Sequence, residues 1–313
     1  MRHISFVVPV YNEEDSIRLF LETMEKELFS LKENYVFDYV FVNDGSKDKT
    51  LSVLLDAKKD YPQISIIDFS RNFGKEAAMT AGIDNARGDA VIPIDVDLQD
   101  PPHVVAQLLE KWEEGYEVVL ARRADRSSDS AAKRLTAQWF YQFINIMAKP
   151  KIPENVGDFR LMDRKVVEAL KQLPERRRFM KGLFSWVGFN TTVVDYERKV
   201  RQAGTTKFSG WKLWNFAIEG ITSFSTALLE VWTYIGLLIS TTAFGYLVFI
   251  IIKTLMFGKD LEGYSSTLAT ILFLGGTQMV GLGILGVYIG RIYVEVKNRP
   301  IYIVRNYYPE EKK

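Results

Sequence analysis

The sequence predicts an α/β domain with a mostly parallel sheet, joined to two membrane-spanning helices. Short apolar or β-branched runs alternate with helical patterns in the N-terminal part of the chain, which is typical of parallel strands with right-handed crossovers. Two long stretches without charge follow in the C-terminal third. The chain has 313 residues, 47% hydrophobic and 25% charged, which leaves room for both parts.

Five strands are predicted, and the first four are followed by polar motifs. In parallel sheets ligands bind beyond the carboxyl ends of the strands, where this chain places PVYNE, NDGS, SRNFGKE and DVDLQD. The strands are predicted at 4–10, 36–42, 64–69, 90–95 and 117–121. Helices are predicted near 14–31, 47–59, 75–86 and 103–114. A polar loop at 122–133 and helices near 134–147 and 163–172 complete the predicted domain.

The stretch DVDLQDPP, which follows the fourth strand, predicts a metal site. Asp95, Asp97 and Asp100 would repel one another unless a cation lies between them. Mg²⁺ (or Mn²⁺) binds one or two carboxylates and accepts phosphate oxygens of a substrate. We therefore expect Asp97 and Gln99 to hold the metal and Asp95 to hold a ribose or sugar hydroxyl. An acidic turn without a metal is the alternative interpretation.

The composition excludes several other classes of site and partner. The chain has no cysteine and only two histidines, so a zinc–thiolate site, a thiol nucleophile or a Ser-His-Asp triad is not expected. The net charge is +1, and no nucleic acid partner is expected. The N-terminus turns acidic after a short apolar run, unlike a signal peptide, so we expect it to stay in the cytoplasm.

Residues 231–252 and 264–290 carry no charge and predict two transmembrane helices. The first would span about 33 Å, enough to cross a hydrocarbon core of about 30 Å. Basic residues precede the first stretch and follow the second, so the positive-inside rule places both termini in the cytoplasm. Aromatic and apolar residues at helical spacing within 206–228, with two lysines nearby, predict an amphipathic helix in the membrane interface. An ordinary helix packed on the soluble domain is the alternative.

These features divide the chain into four predicted parts. They are a cytoplasmic domain at 1–205, the interfacial helix at 206–228, two transmembrane helices with a short external loop at 229–290, and a cytoplasmic C-terminal tail at 291–313.

Several motifs together resemble family-two glycosyltransferases with the nucleotide-sugar-binding (GT-A-like) fold. The likeness runs from about residue 4 to 305 and includes VVPVYNEE, NDGSKDKT, RNFGKEAAMTAG, IPIDVDLQDP, ENVGDFRLMDR and LGVYIGRIYVEVKNRP. It is closest to the polyprenyl-phosphate glycosyltransferases, in particular the bactoprenol glucosyltransferases of O-antigen modification in lipopolysaccharide. Asn43 departs from the wider family, in which many members have Asp, but agrees with the glucosyl subgroup.

The resemblance implies inverting transfer of glucose from UDP-glucose to undecaprenyl (bactoprenyl) phosphate at the cytoplasmic face of the bacterial inner membrane. The same reaction with GDP-mannose, UDP-N-acetylhexosamine or a UDP-aminoarabinose derivative stays open. A processive polysaccharide synthase would need more spans, and a non-catalytic membrane scaffold is the least favoured alternative. Expected partners are the UDP-sugar, the polyprenyl phosphate, the bilayer, a flippase and a downstream glycosyltransferase. Gly286 and Gly290 would permit the close helix contact of a homo-oligomer.

The resemblance also implies which residues bind the nucleotide. Pro9, Tyr11, Glu13 and Asp44 are expected around the uracil and ribose. Tyr11 offers a ring on which a base can stack, and Asp44 can accept from the N–H of the base. Tyr11 and Pro9 are equally compatible with making a turn. Lys75 is expected to meet the diphosphate as a point charge.

The acceptor would bring a second phosphate beside the diphosphate, so the site needs several fixed cations. We expect Arg122, Arg134 and Arg201 to bind the acceptor phosphate, with Lys207 near it. Asp158, in ENVGDFRLMDR, matches the motif that supplies the family's catalytic base. A phosphate monoester is mostly ionised at neutral pH. We therefore expect Asp158 to orient the acceptor through Arg122 or Arg134; the alternative is a loop cap for the next helix.

Overall fold

The computed structural model describes residues 1–124, 153, 156–197, 227–257 and 263–311. The predicted helix near 134–147 lies outside the described residues, as do nearly all of the predicted loop at 122–133 and of the interfacial helix at 206–228. Arg134, Arg201 and Lys207 also lie outside them.

The described residues form one mixed sheet, helices on both of its faces, and two long apolar helices. The strands are β1 Arg2–Val10, β2 Tyr35–Asn43, β3 Ile64–Phe69, β4 Ala90–Pro93, β5 Val118–Arg123, β6 Val156–Asp163, β7 Thr191–Tyr196 and β8 Val304–Tyr308. The helices are α1 Ile17–Glu27, α2 Thr50–Asp60, α3 Lys75–Asn85, α4 Val104–Glu113, α5 Arg164–Lys171, α6 Met180–Trp186, α7 Ala227–Phe257 and α8 Tyr264–Val296.

The sheet has the strand order β7-β5-β6-β4-β1-β2-β3-β8. Strands β4, β1, β2 and β3 are mutually parallel, so their carboxyl ends meet at one edge. These strands are near-continuous apolar runs because helices cover both faces of the sheet. Phe6 and Tyr39 belong to the core on one face, and Val7 and Val40 belong to the core on the other. The fold class predicted from the sequence is confirmed.

Three strands, β6, β7 and β8, are absent from the sequence-based prediction. Strand β6 pairs antiparallel with β4 and β5, and β7 extends the sheet beyond β5. Charged residues interrupt the apolar pattern of β6, so it resembled a loop. The first helix is also shorter than expected, because α1 ends at Glu27 and a 3₁₀ segment, Phe29–Glu33, follows it.

Helices α7 and α8 have the length and composition of membrane spans. The apolar segments Val231–Phe257 and Phe273–Val296 have mean hydropathies of 2.3 and 1.5, and almost none of their residues is buried. The two helices contact each other closely at Gly281, where an added Cβ would lie 2.3 Å from Nε1 of Trp232. Helix α8 continues past residue 290 and carries Glu295 to the α/β part of the chain, where its carboxylate accepts the backbone N–H groups of Arg176 and Arg177.

The segment after α8 returns to the sheet. Strand β8 pairs antiparallel with β3 at the edge of the sheet. The ring of Tyr302 stacks on Phe69 with 5.1 Å between centroids, and the backbone N–H of Glu311 donates to the carbonyl of Pro62. Within the predicted C-terminal tail at 291–313, residues Val304–Tyr308 are thus part of the same sheet as the N-terminal strands.

Candidate active site

A cavity of about 480 Å³ opens at the carboxyl ends of β1, β2 and β4. It brings together every residue that the sequence assigned to the nucleotide, together with Asp95 and Asp97. The lining residues are Pro9, Val10, Tyr11, Glu13, Asp44, Asn72, Gly74, Lys75, Ala78, Asp95, Val96 and Asp97. The parallel strands produce this convergence, because the loops that follow them leave the sheet at the same edge.

Asp44 joins two loops at the floor of the cavity. Its carboxylate accepts the backbone N–H groups of Phe73 at 2.6 Å and Gly74 at 2.9 Å. Burial raises the pKa of Asp44, and these two N–H groups partly offset that rise. Gly45 has a φ of +64°, and an added Cβ would lie 2.3 Å from the carbonyl carbon of Arg71. The two loops therefore touch directly, and only glycine fits between them.

The loop after β1 forms another wall. Tyr11 is 43% exposed, so its ring is accessible for stacking. Asn12 adopts a φ of 55°, which Asn tolerates better than most residues. Its backbone N–H donates to Oγ of Ser46, and its Oδ1 accepts from the backbone N–H of Lys47. Helix α1 begins later, with Ser16 at its N-cap position, so Asn12 holds two loops together instead of capping the helix.

Lys75 bridges two carboxylates at the start of α3. Its Nζ lies 2.7 Å from Oδ1 of Asp95 and 2.9 Å from Oδ2 of Asp158. Burial by itself would lower the pKa of Lys75, but the two carboxylates raise it above its usual value. The ammonium is therefore a fixed positive charge on the wall of the cavity, between Asp95 in the turn after β4 and Asp158 on β6.

Asp158 lies on β6, and its surroundings keep it ionised. Burial opposes ionisation, but Lys75 and, farther away, Lys181 lower its pKa below the usual range. Arg160 supports the backbone beside it: Nη2 donates to the carbonyl of Gly157 at 2.7 Å, and the guanidinium lies 4.2 Å from the ring centroid of Phe184. Burial lowers the pKa of Arg160 to about 10. Arg160 is thus a structural neighbour that positions Asp158.

The capping role considered for Asp158 belongs to Asp163. The carboxylate of Asp163 accepts the backbone N–H of Lys165 at 3.0 Å, at the start of α5. It also accepts the indole N–H of Trp112 at 2.8 Å. Asp158 lies inside the strand and points its carboxylate toward Lys75 instead.

The turn after β4 separates the residues predicted to bind metal. Leu98 has a φ of 54°, which is uncommon for a branched residue, and the backbone N–H of Gln99 donates to Oδ1 of Asp97 at 3.2 Å. Asp97 lines the cavity, whereas Gln99 and Asp100 are 5% and 6% exposed. The hydroxyl of Tyr196 donates to Asp100 at 2.5 Å. The turn therefore presents Asp97 and buries the two residues that follow Leu98.

Two of the carboxylates that line the cavity are of the kind that can hold a divalent cation. Within the described residues, no group of three His, Cys, Asp or Glu side chains is placed to enclose a metal. Asp95 and Asp97 nevertheless both line the cavity. One or two carboxylates, completed by water and phosphate oxygens, are a typical protein contribution to a Mg²⁺ site.

Arg122 lies outside this cavity and has a different partner. Its guanidinium donates to the carboxylate of Asp195 on β7, at 2.6 and 2.8 Å, and this pairing raises the pKa of Arg122. Arg122 is paired with Asp195, and Asp158 is paired with Lys75. The predicted contact between Asp158 and Arg122 is therefore not formed. The neighbouring Arg123 faces the opposite way along the strand, with Nε 3.4 Å from the hydroxyl of Tyr196.

Glu76 is a residue of this region that the sequence did not single out. Its Oε2 accepts the backbone N–H of Met180 at 3.0 Å and so joins the start of α3 to the start of α6. Burial is the main reason that its pKa is raised to about 7. Its position next to Lys75, in the motif RNFGKEAAMTAG, was the available signal.

Comparisons with known proteins identify the family and several relatives of this chain. Residues 5–171 match glycosyl transferase family 2. The chain is 58% identical over 302 residues to the SfII prophage-derived bactoprenol glucosyl transferase of Shigella flexneri, covering 96% of this chain and 97% of the relative. It is 56% identical to a prophage bactoprenol glucosyl transferase homolog of Escherichia coli (strain K12), covering 96% and 98%.

Among solved structures, glucosyl-3-phosphoglycerate synthase from Mycobacterium tuberculosis, in complex with Mn²⁺, UDP-glucose and phosphoglyceric acid, matches with a TM-score of 0.46. That match has 17% sequence identity and covers 71% of this chain and 78% of that one.

Proposed function

Because the chain belongs to glycosyltransferase family 2, we propose that it transfers glucose from UDP-glucose to undecaprenyl phosphate at the cytoplasmic face of a bacterial membrane. The observation that carries this proposal is the cavity lined by Asp44, Lys75, Asp95 and Asp97, with Asp158 ion-paired to Lys75 at its wall. The bactoprenol glucosyl transferase of Shigella flexneri and the homolog in Escherichia coli, both related over almost their full length, support this sugar and this lipid.

The residues of the cavity divide between the two ends of the donor. Asp44 and Tyr11 would contact the uridine, the former through its carboxylate and the latter through its ring. Lys75 supplies a positive charge for the diphosphate, and Asp95 offers an acceptor for a ribose or sugar hydroxyl. Asp97 would hold a divalent cation against the diphosphate, and that cation would neutralise charge on the leaving group. Because the side chain of Gln99 is buried, it would stabilise the ion indirectly, from beneath the cavity surface.

The chemical step is a displacement at the anomeric carbon. An oxygen of the acceptor phosphate forms the new bond to this carbon, while the bond to the diphosphate breaks and its electron pair leaves with UDP. Attack from the face opposite the leaving group inverts the configuration. The acceptor is already ionised at neutral pH, because the second pKa of a phosphate monoester is about 6. The enzyme therefore has to bring two anions together and align them.

A donor screen tests the proposal. Full-length protein in detergent would be incubated with undecaprenyl phosphate and each nucleotide sugar in turn, and nucleoside diphosphate release would be measured with and without the lipid. We expect lipid-dependent release with UDP-glucose and much less with GDP-mannose, UDP-N-acetylhexosamine or a UDP-aminoarabinose derivative. Faster release with any of these three would replace glucose with that sugar.

Membrane topology is the second part of the proposal. Strand β8, which follows α8, pairs with β3 of the N-terminal domain, so the segments flanking the two apolar helices belong on the same side of a membrane. Two crossings satisfy this requirement, and the flanking basic residues favour the cytoplasmic side. The homo-oligomer, the flippase and the downstream glycosyltransferase stay predictions.

We expect a reporter fused to the C-terminus to read as cytoplasmic and one inserted within 253–263 to read as external. The physical reason is that the pairing of β8 with β3 requires both ends of the helical hairpin to be on the side of the active site. Paired alkaline phosphatase and green fluorescent protein fusions at both positions measure this. The reverse pattern would separate the site from cytoplasmic nucleotide sugars and contradict the proposal.

A further inference from the structure

The segment that follows the membrane helices holds a loop of the donor cavity. The backbone N–H of Ser70 donates to the carbonyl of Ile303 at 3.0 Å, and the carbonyl of Ser70 accepts from Nη2 of Arg305 at 2.6 Å. Ser70 begins the loop whose Asn72 and Gly74 line the cavity. The C-terminal segment thus fixes both backbone polar groups of the first residue of this loop.

Arg305 also faces a buried carboxylate. Asp68, near the end of β3, is 1% exposed, and its Oδ1 accepts from Nδ2 of Asn43 at 2.7 Å. Its Oδ2 is buried and has no hydrogen-bond partner in the described part of the chain, while Nη1 of Arg305 lies 3.9 Å away. A buried carboxylate is costly without a countercharge. Arg305 supplies that charge from across the edge of the sheet.

Asp68 is connected to the second loop of the donor cavity through Asn43. Oδ1 of Asn43 accepts the backbone N–H of Ser46 at 3.3 Å, and Asp44 lies between these two residues. The carboxylate of Asp44 in turn binds the backbone N–H groups of Phe73 and Gly74. The contacts therefore form a closed ring, in which Arg305 and Asp68 are on one side and the cavity is on the other.

We propose that Arg305 is a positioning residue for the nucleotide donor, an inference that rests on the function proposed above. It neutralises Asp68 and holds Ser70, and the two loops of the cavity then keep Asp44, Asn72 and Lys75 in place. Arg305 does not line the cavity, so it acts through these loops. Donor binding consequently depends on docking of the segment that contains Ile303 and Arg305, which follows helices α7 and α8 in the chain.

Arg305→Gln, which keeps a hydrogen-bond donor but removes the charge, tests the proposal in the full-length protein. We expect the Kd for UDP and the KM for UDP-glucose to rise about tenfold, with kcat and the KM for undecaprenyl phosphate unchanged. Arg305→Lys should recover most of the affinity. The matched control is Arg87→Gln, because Arg87 pairs at 3.7 Å with Glu310 farther along the same segment, away from the loop. The control should bind UDP like the wild type.

Two further measurements separate positioning from a general loss of structure. In an Asp68→Asn background, Arg305→Gln should weaken UDP binding less than threefold, because the buried charge is gone. Hydrogen–deuterium exchange of the peptide covering 70–75 should speed up in Arg305→Gln and not in Arg87→Gln. Unchanged exchange and unchanged UDP affinity in Arg305→Gln would overturn the inference. If the wild type neither binds UDP nor uses UDP-glucose, the proposed donor is refuted. If exchange of the 70–75 peptide is still faster in Arg305→Gln, the role of Arg305 in holding this loop is retained.

Discussion

Asp97→Ala is expected to lower the rate of sugar transfer by about a thousandfold or more and to abolish the metal dependence of UDP binding. Asp97 lines the cavity directly, whereas the two residues that follow Leu98 are turned inward. Asp95, the other carboxylate of the motif, is already ion-paired with Lys75. Without Asp97, the carboxylate of this motif that still lines the cavity is Asp95, which Lys75 already engages, so a cation bound to the diphosphate loses its ligand. Loss of a group that stabilises developing charge commonly lowers the rate by about a hundredfold to a thousandfold or more.

The measurement is transfer and UDP affinity with added Mg²⁺ or Mn²⁺ and with excess chelator. Asp97 is only partly buried, so its truncation should leave the unfolding temperature close to that of the wild type. Asp60→Ala is the matched control, because its side chain is 65% exposed at the end of α2, outside the cavity, and it should retain full activity. Strong transfer by the wild type in excess chelator would refute the metal role of Asp97.

The parallel centre of the sheet was accessible from the sequence because its signals are local. Strand β3 runs from Ile64 to Phe69, as predicted, and β2 extends one residue beyond its prediction at each end. Strand β4 ends at Pro93, two residues early, because the chain leaves the sheet to form the turn that carries Asp95 and Asp97. The polar motifs at the strand ends were sufficient to predict that their residues line one cavity.

The rest of the architecture depends on contacts between distant parts of the chain. Strand β6 alternates buried apolar residues with Asp158 and Arg160, and only its partners β4 and β5 make that pattern a strand. Strand β8 follows two long apolar helices in the chain and pairs with β3, and no local pattern predicts this pairing. The partner of Arg122 is likewise decided by the parallel register of β5 and β7, which places Arg122 opposite Asp195.

The same kind of long-range contact changes the interpretation of Asp158. The sequence indicated a carboxylate that would orient the acceptor phosphate through an arginine. In the structure its partner is Lys75, which also holds Asp95. A carboxylate with a depressed pKa is a weak proton acceptor, and the acceptor phosphate has little proton to lose. We therefore propose that Asp158 keeps Lys75 and the acceptor aligned at the sugar and does not act as a base.

Asp158→Asn is accordingly expected to lose transfer by about a hundredfold or more and to show no recovery as the pH rises. The substitution keeps the shape of the side chain but removes its negative charge. Lys75, which pairs with both Asp95 and Asp158 in the wild type, would then pair with Asp95 alone. UDP affinity should stay within about threefold of the wild type, because the nucleotide contacts at Asp44 and Tyr11 are on other loops. The measurement is kcat as a function of pH between about 5.5 and 8.5, a range that brackets the second pKa of the acceptor phosphate.

The comparison between variant and wild type over that range decides the role of Asp158. If it orients the acceptor, both profiles rise together through about pH 6 as the phosphate ionises, and the gap between them stays constant. The wild-type carboxylate contributes no further step, because its depressed pKa keeps it ionised throughout. If Asp158 is a base, the need for it disappears once the acceptor is fully ionised, and the gap should close above about pH 7. A variant that regains most of its rate at the alkaline end would therefore return Asp158 to the role of a general base.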